Sequence, residues 1–123
     1  MKNFTKEFWE ESWEKHIDTY LNAPPRAGIF IKSYFPHIKS VLEIAGGSCR
    51  DSRYLAYKQI DAVGSDIEYK TLRYLQEVKF PNDKLKYSVE DAFNLTFPNN
   101  SFDLVFHNGF LVLVKMRKFI KYY

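Results

Sequence analysis

Val41-Leu42-Glu43-Ile44-Ala45-Gly46-Gly47-Ser48-Cys49-Arg50-Asp51 is the stretch that decides how this chain folds. Val41 to Ala45 is a short, mainly apolar run, which reads as a buried strand feeding a tight turn. Small residues at 45, 46 and 47 let the backbone turn sharply and approach a ligand without interference from Cβ atoms. Arg50 to Tyr57 then reads as a helix, so the stretch spells strand, turn, helix.

The same grammar repeats outward. Asp61 to Ser65 reads as a second strand, followed by a helix from about Glu68 to Val78 with Leu72 and Leu75 on one face. Pro81-Asn82-Asp83 is a turn, Leu85 to Val89 a third strand, and Pro98 to Ser101 a turn launching Phe102 to Phe106 as a fourth. Strands alternating with helices imply right-handed crossovers and a parallel sheet, so the fold class is α/β. Upstream, Phe8, Trp9, Trp13, Ile17, Tyr20 and Leu21 recur at helical spacing between Thr5 and Leu21. Ala23-Pro24-Pro25 stops that helix, because proline lacks the amide donor and disfavours helix in the residue before it. A shorter helix is expected from Ala27 to Tyr34.

Composition excludes several classes. The 123 residues are 46% hydrophobic and 18% aromatic, enough to build a core, so disorder is a poor reading. The lone Cys49 excludes an internal disulfide, and no Cys/His cluster has zinc-ligand spacing, so no metal is expected. No apolar run reaches the roughly 18 residues of a membrane span. The N-terminus lacks the apolar core of a signal peptide, and a cytoplasmic location is expected. The net charge is +3, of which the last nine residues supply +4 through Lys115, Arg117, Lys118 and Lys121, leaving −1 on the rest. The basicity belongs to the tail, which argues against a nucleic-acid partner for the folded body.

In parallel α/β sheets ligands bind outside the carboxyl ends of the strands. After the first strand comes the small-residue loop. The second strand ends at Asp66, 23 residues after Glu43, close to the roughly 20-residue separation at which an acid reaches a ribose hydroxyl pair. The third is followed by Glu90-Asp91-Ala92-Phe93, where Asp91 can accept a hydrogen bond from an adenine amine and Phe93 can lie beside the ring. Three strand ends therefore converge on a nucleoside. A dinucleotide fingerprint is absent, since its third glycine would fall on Arg50, and no Gly-Lys-Ser/Thr follows to make a phosphate loop. Duller roles compete: Asp66 and Asp91 as helix caps, Cys49 as a small buried side chain, His107 as an ordinary strand-end histidine.

This pattern resembles the class I S-adenosylmethionine-dependent methyltransferases, in particular their small-molecule-type (methyltransferase type 11-like) branch. The resemblance runs from about Val41 to Leu111. It rests on Val41-Leu42-Glu43-Ile44 and the loop, Val63-Gly64-Ser65-Asp66, the Asp91-Ala92 pair, and Leu95-Thr96-Phe97-Pro98-Asn99-Asn100-Ser101-Phe102-Asp103-Leu104-Val105. It implies a Rossmann-like sheet over residues 37–123 behind a helical cap over residues 1–36, and S-adenosyl-L-methionine as cofactor, with S-adenosyl-L-homocysteine as product. By position, Ala45, Gly46 and Gly47 would line the methionine part and Glu43 would orient the loop from beneath. Asp66 would hold the ribose hydroxyls, with Ile67 against the adenine and Asp91 and Ala92 reading its edge. His107 and Asn108 would face the sulfonium and the substrate, His107 being the one candidate base.

Two positions depart from the family pattern: Ala45 replaces the first motif glycine and Cys49 the third. Alanine is a modest change where φ is negative, whereas the Cys49 side chain would crowd the approach of helix to strand. The Asn-Pro-Pro-Tyr signature of nucleic-acid amino methyltransferases is absent, and Phe106-His107-Asn108-Gly109-Phe110 stands instead, favouring a small-molecule acceptor. Family members carry a seven-stranded sheet, so four strands imply a truncated domain whose open edge a second copy would cover. The competing function is a non-catalytic assembly module that contacts a polyanion through its basic tail.

Overall fold

The four strands form one parallel sheet in which the two central strands bury their apolar side chains on both faces and the outer two are partly exposed. The computed structural model describes residues 23–77 and 82–108, together with Glu7 and Glu11. Within them the chain runs α1 (Arg26–Tyr34), β1 (Ser40–Glu43), α2 (Arg50–Tyr57), β2 (Asp61–Asp66), α3 (Tyr69–Glu77), β3 (Leu85–Val89) and β4 (Leu104–Phe106). The sheet order is β3-β2-β1-β4, with every pairing parallel. The strand expected at Val41–Ala45 is shifted to Ser40–Glu43, and that expected at Phe102–Phe106 is shortened to Leu104–Phe106. The Thr5–Leu21 helix lies outside the described residues except for Glu7 and Glu11, both helical. Val78, Pro81, Gly109 to Leu111 and the basic tail also lie outside them.

Period-two alternation places neighbouring residues in different cores. Val41 and Ala62 join Ile31, Leu55, Ala56 and Ile60 beneath α1 and α2. Leu42 and Ile44 face the other side, where Val63, Ala92, Phe93, Leu95, Phe97 and Phe102 pack against them. The connection from β3 to β4 is therefore the lid of that second core. A smaller cluster of Cys49, Leu72 and Leu75, with Tyr87 against it, seats α3.

Register brings the strand ends to one rim. Glu43 lies opposite Gly64 on one side and Phe106 on the other, while Asp66 lies opposite Val89. At the opposite end the Asp103 carboxylate accepts the Lys39 and Ser40 amides, at 2.9 and 3.2 Å, clipping β4 to the start of β1. Among the described residues, no helix is long and apolar enough to cross a membrane.

Candidate functional site

The loop from Ala45 to Cys49 is held in a conformation that L-residues seldom adopt. Ala45, Gly47 and Cys49 have φ of 50°, 58° and 54°. The negative φ that would have made Ala45 an easy replacement is thus not what the chain adopts. Both Ala45 and Cys49 carry the left-handed penalty of about 1–2 kcal/mol each.

Buried hydrogen bonds hold the loop there. The Gly46 amide donates to the Ser65 carbonyl at 2.7 Å, and the Cys49 amide to the Gly46 carbonyl at 2.9 Å. The Gly47 amide donates to Asp66 Oδ2 at 2.9 Å, and the Glu68 amide to Asp66 Oδ1 at 2.9 Å. Arg53 donates to the Ser48 carbonyl. Glu43, 2% exposed, lies beneath, accepting the Ser52 hydroxyl at 2.7 Å and the Ser52 amide at 3.2 Å. Cys49 supplies no side-chain cap to α2, so this carboxyl from β1 serves one of the orphan amides of its first turn.

Burial dominates the electrostatics. It lifts Glu43 from 4.5 to about 8, against the Ser52 hydroxyl bond and with help from the Asp51 charge, so Glu43 is largely protonated at neutral pH. Burial also raises Asp66, against the bonds from the Glu68 and Gly47 amides. The Cys49 thiol is raised well above its ordinary value, first by burial and then by Glu43 and Asp66, which rules it out as a ready nucleophile.

Cys49 is accommodated rather than excluded. Its side chain occupies space left by two glycines: a Cβ on Gly46 would lie 2.8 Å from its Sγ, and one on Gly64 would lie 2.7 Å away. The crowding expected at this position is relieved by Gly64 on β2.

The loop and Asp66 are directly bonded. Asp91 and Ala92 follow at the next strand end, because the Glu90 amide donates to the Asp66 carbonyl at 3.0 Å. Asp91 is exposed and its Oδ1 accepts the Phe93 amide at 2.9 Å, so it shapes a turn and not the helix cap of its duller reading. Ala92 packs in the second core, and Ile67 is 44% exposed beside Asp66. His107 follows Phe106, whose carbonyl accepts the Ile44 amide at 2.9 Å, so it stands one residue beyond the level of Glu43. Burial lowers the His107 pKa below 6.5, leaving the imidazole neutral at physiological pH. Asn108 is exposed. Among the described residues no group of His, Cys, Asp or Glu could hold a metal ion.

Sequence reasoning missed several residues that build this rim. Ser65 donates to the Glu43 carbonyl at 2.7 Å, stitching β1 to β2 below the loop. Glu68, fully buried, caps α3 by accepting the Lys70 and Thr71 amides at 2.8 and 2.7 Å. Glu90 accepts Ser88 and the Thr96 amide and hydroxyl, bonds that outweigh burial and lower its pKa. The acid Glu68 at the start of an amphipathic stretch was the one readable signal, since acids favour the positive end of a helix.

A four-stranded parallel sheet with a small-residue loop after one central strand and an acid after the next matches part of the architecture of class I methyltransferases. A family model described as a methyltransferase domain matches residues 42–121, and the chain belongs to that family. Solved structures agree. A phosphoethanolamine N-methyltransferase of Haemonchus contortus, complexed with phosphoethanolamine and S-adenosylhomocysteine, superposes with a TM-score of 0.65 at 24% identity, covering 97% of this chain and 29% of that one. A Methanococcus maripaludis protein assigned as an S-adenosylmethionine-dependent methyltransferase gives 0.70 at 18% identity, covering 97% and 59%. A TehB-like S-adenosylmethionine-dependent methyltransferase from Corynebacterium glutamicum gives 0.65 at 17%, covering 92% and 60%. The chain thus spans less than two thirds of the length of these structures. A comparison with curated proteins finds no match.

Proposed function

We propose that this chain binds S-adenosylmethionine on the rim formed by the carboxyl ends of β1 to β4 and presents its methyl group to a small-molecule acceptor. The observation that carries the reading is the Asp66–Gly47 bond of 2.9 Å, which locks the acid after β2 onto the small-residue loop after β1. An ionised carboxylate offers about four lone-pair sites, and Asp66 turns Oδ2 to the Gly47 amide and Oδ1 to the Glu68 amide, with the Ile67 amide also contributing. The capacity that remains suits a ribose hydroxyl.

Each residue has a task in this reading. Ala45, Gly46 and Gly47 face the methionine moiety with backbone groups, and Glu43 fixes that loop from below through Ser52. Ile67 offers an exposed apolar surface to the adenine, while Asp91 keeps Oδ2 for the exocyclic amine and Ala92 leaves room for the ring edge. The cofactor supplies an electrophilic methyl carbon on a sulfonium. The protein's part is then to align the acceptor and keep water out. A neutral His107 at the end of β4 can take the proton of an acceptor that must lose one, with Asn108 beside it as an orienting group. The alternative of a polyanion-binding assembly module gains no support from the described residues or from the relatives.

Isothermal calorimetry with S-adenosylhomocysteine tests the reading. Micromolar binding is expected, and Asp66→Ala should weaken it by well over tenfold, since it removes a charged acceptor from two amides and the ribose together. Absence of binding at millimolar ligand would refute it.

A further inference from the structure

Asp51 makes its hydrogen bond outside the loop network. Fully buried at 1% exposure, it accepts the Gly28 amide on Oδ1 at 3.0 Å. That amide belongs to the first turn of α1, whose cap position is Pro25, a residue with no side chain able to serve it. The carboxylate therefore caps α1 from another helix and places a negative charge at its positive end. A second tie runs from Arg50 Nε to the Pro24 carbonyl at 3.2 Å. Gly28 has no room for a side chain: a Cβ would stand 2.9 Å from the Tyr54 ring and 3.1 Å from the Asp51 carbonyl. All of these contacts land on the first turns of α2, immediately after the strained loop.

We propose that Asp51 is a positioning residue, which joins α1 to the first turn of α2 so that docking of residues 24–34 and ordering of the loop 45–49 are thermodynamically coupled. The inference rests on the cofactor reading given above. The left-handed conformations at Ala45 and Cys49 bias the loop toward opening, and α2's first turn is its downstream anchor. Whatever steadies that turn from outside steadies the loop. By linkage, a ligand that orders the loop must in return hold α1 more firmly.

Two measurements on the full chain decide the matter. In wild-type protein, saturating S-adenosylhomocysteine should slow hydrogen exchange at the Gly28 amide at least fivefold. By calorimetry, Asp51→Ala should weaken S-adenosylhomocysteine by about fivefold or more, and Asp51→Asn, which keeps an acceptor, should restore most of the loss. Gly28→Ala should weaken it as well. Alanine favours helix, so that loss would come from undocking and not from a weaker α1. If Asp51→Ala fails to fold, the wild-type exchange and Gly28→Ala carry the test. Exchange at Gly28 that ignores the ligand, or affinity within twofold of wild type in Gly28→Ala, overturns the coupling. A wild-type chain that does not bind S-adenosylhomocysteine refutes the cofactor reading instead.

Discussion

Replacing Gly64 by alanine should damage this protein through one side chain, Cys49. The new Cβ would lie 2.7 Å from Cys49 Sγ, 2.9 Å from Cys49 Cβ and 3.3 Å from the Tyr87 ring. Contacts under 3 Å must be relieved by movement. Cys49 is fully buried with φ of 54°, beside a loop pinned by Ser65 and Asp66, so it has nowhere to swing. Overpacking of this kind costs about 1–3 kcal/mol, and each kcal/mol lowers Tm by roughly 3–6 °C in a domain of this size. Cys49→Gly removes a buried sulfur but also removes a left-handed penalty of about 1–2 kcal/mol, so the two effects nearly cancel. The double variant should then regain most of what Gly64→Ala loses. Urea unfolding of the four proteins, followed by circular dichroism, closes the cycle. A coupling of about 1–3 kcal/mol is expected. Additivity within about 0.5 kcal/mol would show that the Cys49–Gly64 contact does not control the site.

Three further outcomes follow from the same geometry. Glu43 and Asp66 both have pKa values raised in the folded state, so the native protein holds protons that the unfolded chain releases. The Glu43 contribution is complete below about pH 4 and is lost as pH rises toward about 8, by up to tenfold in the folding equilibrium per pH unit, and Asp66 adds a loss in the same direction as pH rises. Glu43→Gln should flatten that decline between pH 5 and 8, and denaturation curves with parallel pH dependence in both proteins would contradict it. Ser65→Ala removes the 2.7 Å bond to the Glu43 carbonyl and should cost about 1–2 kcal/mol, read by thermal melting; an unchanged Tm would dismiss the stitch between β1 and β2. Among the described residues β4 ends the sheet, and we expect a second copy to cover its outer edge: light scattering should give twice 14.6 kDa, and a monomer at all concentrations would reject the dimer.

How far the residues announce this structure depends on the range of the interaction. The span of α2 and that of β3 follow from local apolar periodicity and turn residues, and both match the expected ranges. Boundaries moved where a side chain competes with the ladder. Ile44 and Ala45 leave β1 because Ala45 turns left-handed. Phe102 turns edge-on to Phe97 in the second core, at 5.0 Å between ring centroids, and Asp103 is drawn to the start of β1. Helix α3 starts at Tyr69, after Glu68, because the Glu68 carboxylate caps it. The candidate site divides in the same way. The loop, Asp66 and Asp91 could be named from their places after strands. The Cys49–Gly64 complementarity needs the register of β1 on β2, and the Asp51–Gly28 bond needs the docking of one helix on another, so neither has a local signature.

The central claim is that the Ala45–Gly47 loop and Asp66 form one cofactor site. Titrating isotope-labelled protein with S-adenosylhomocysteine and following backbone amide shifts tests it most directly. The account predicts the largest shifts at Gly46, Gly47, Asp66, Ile67 and Ala92, with little change at the Asp103 end of the sheet. Shifts confined to other faces, or none at saturating ligand, would contradict it.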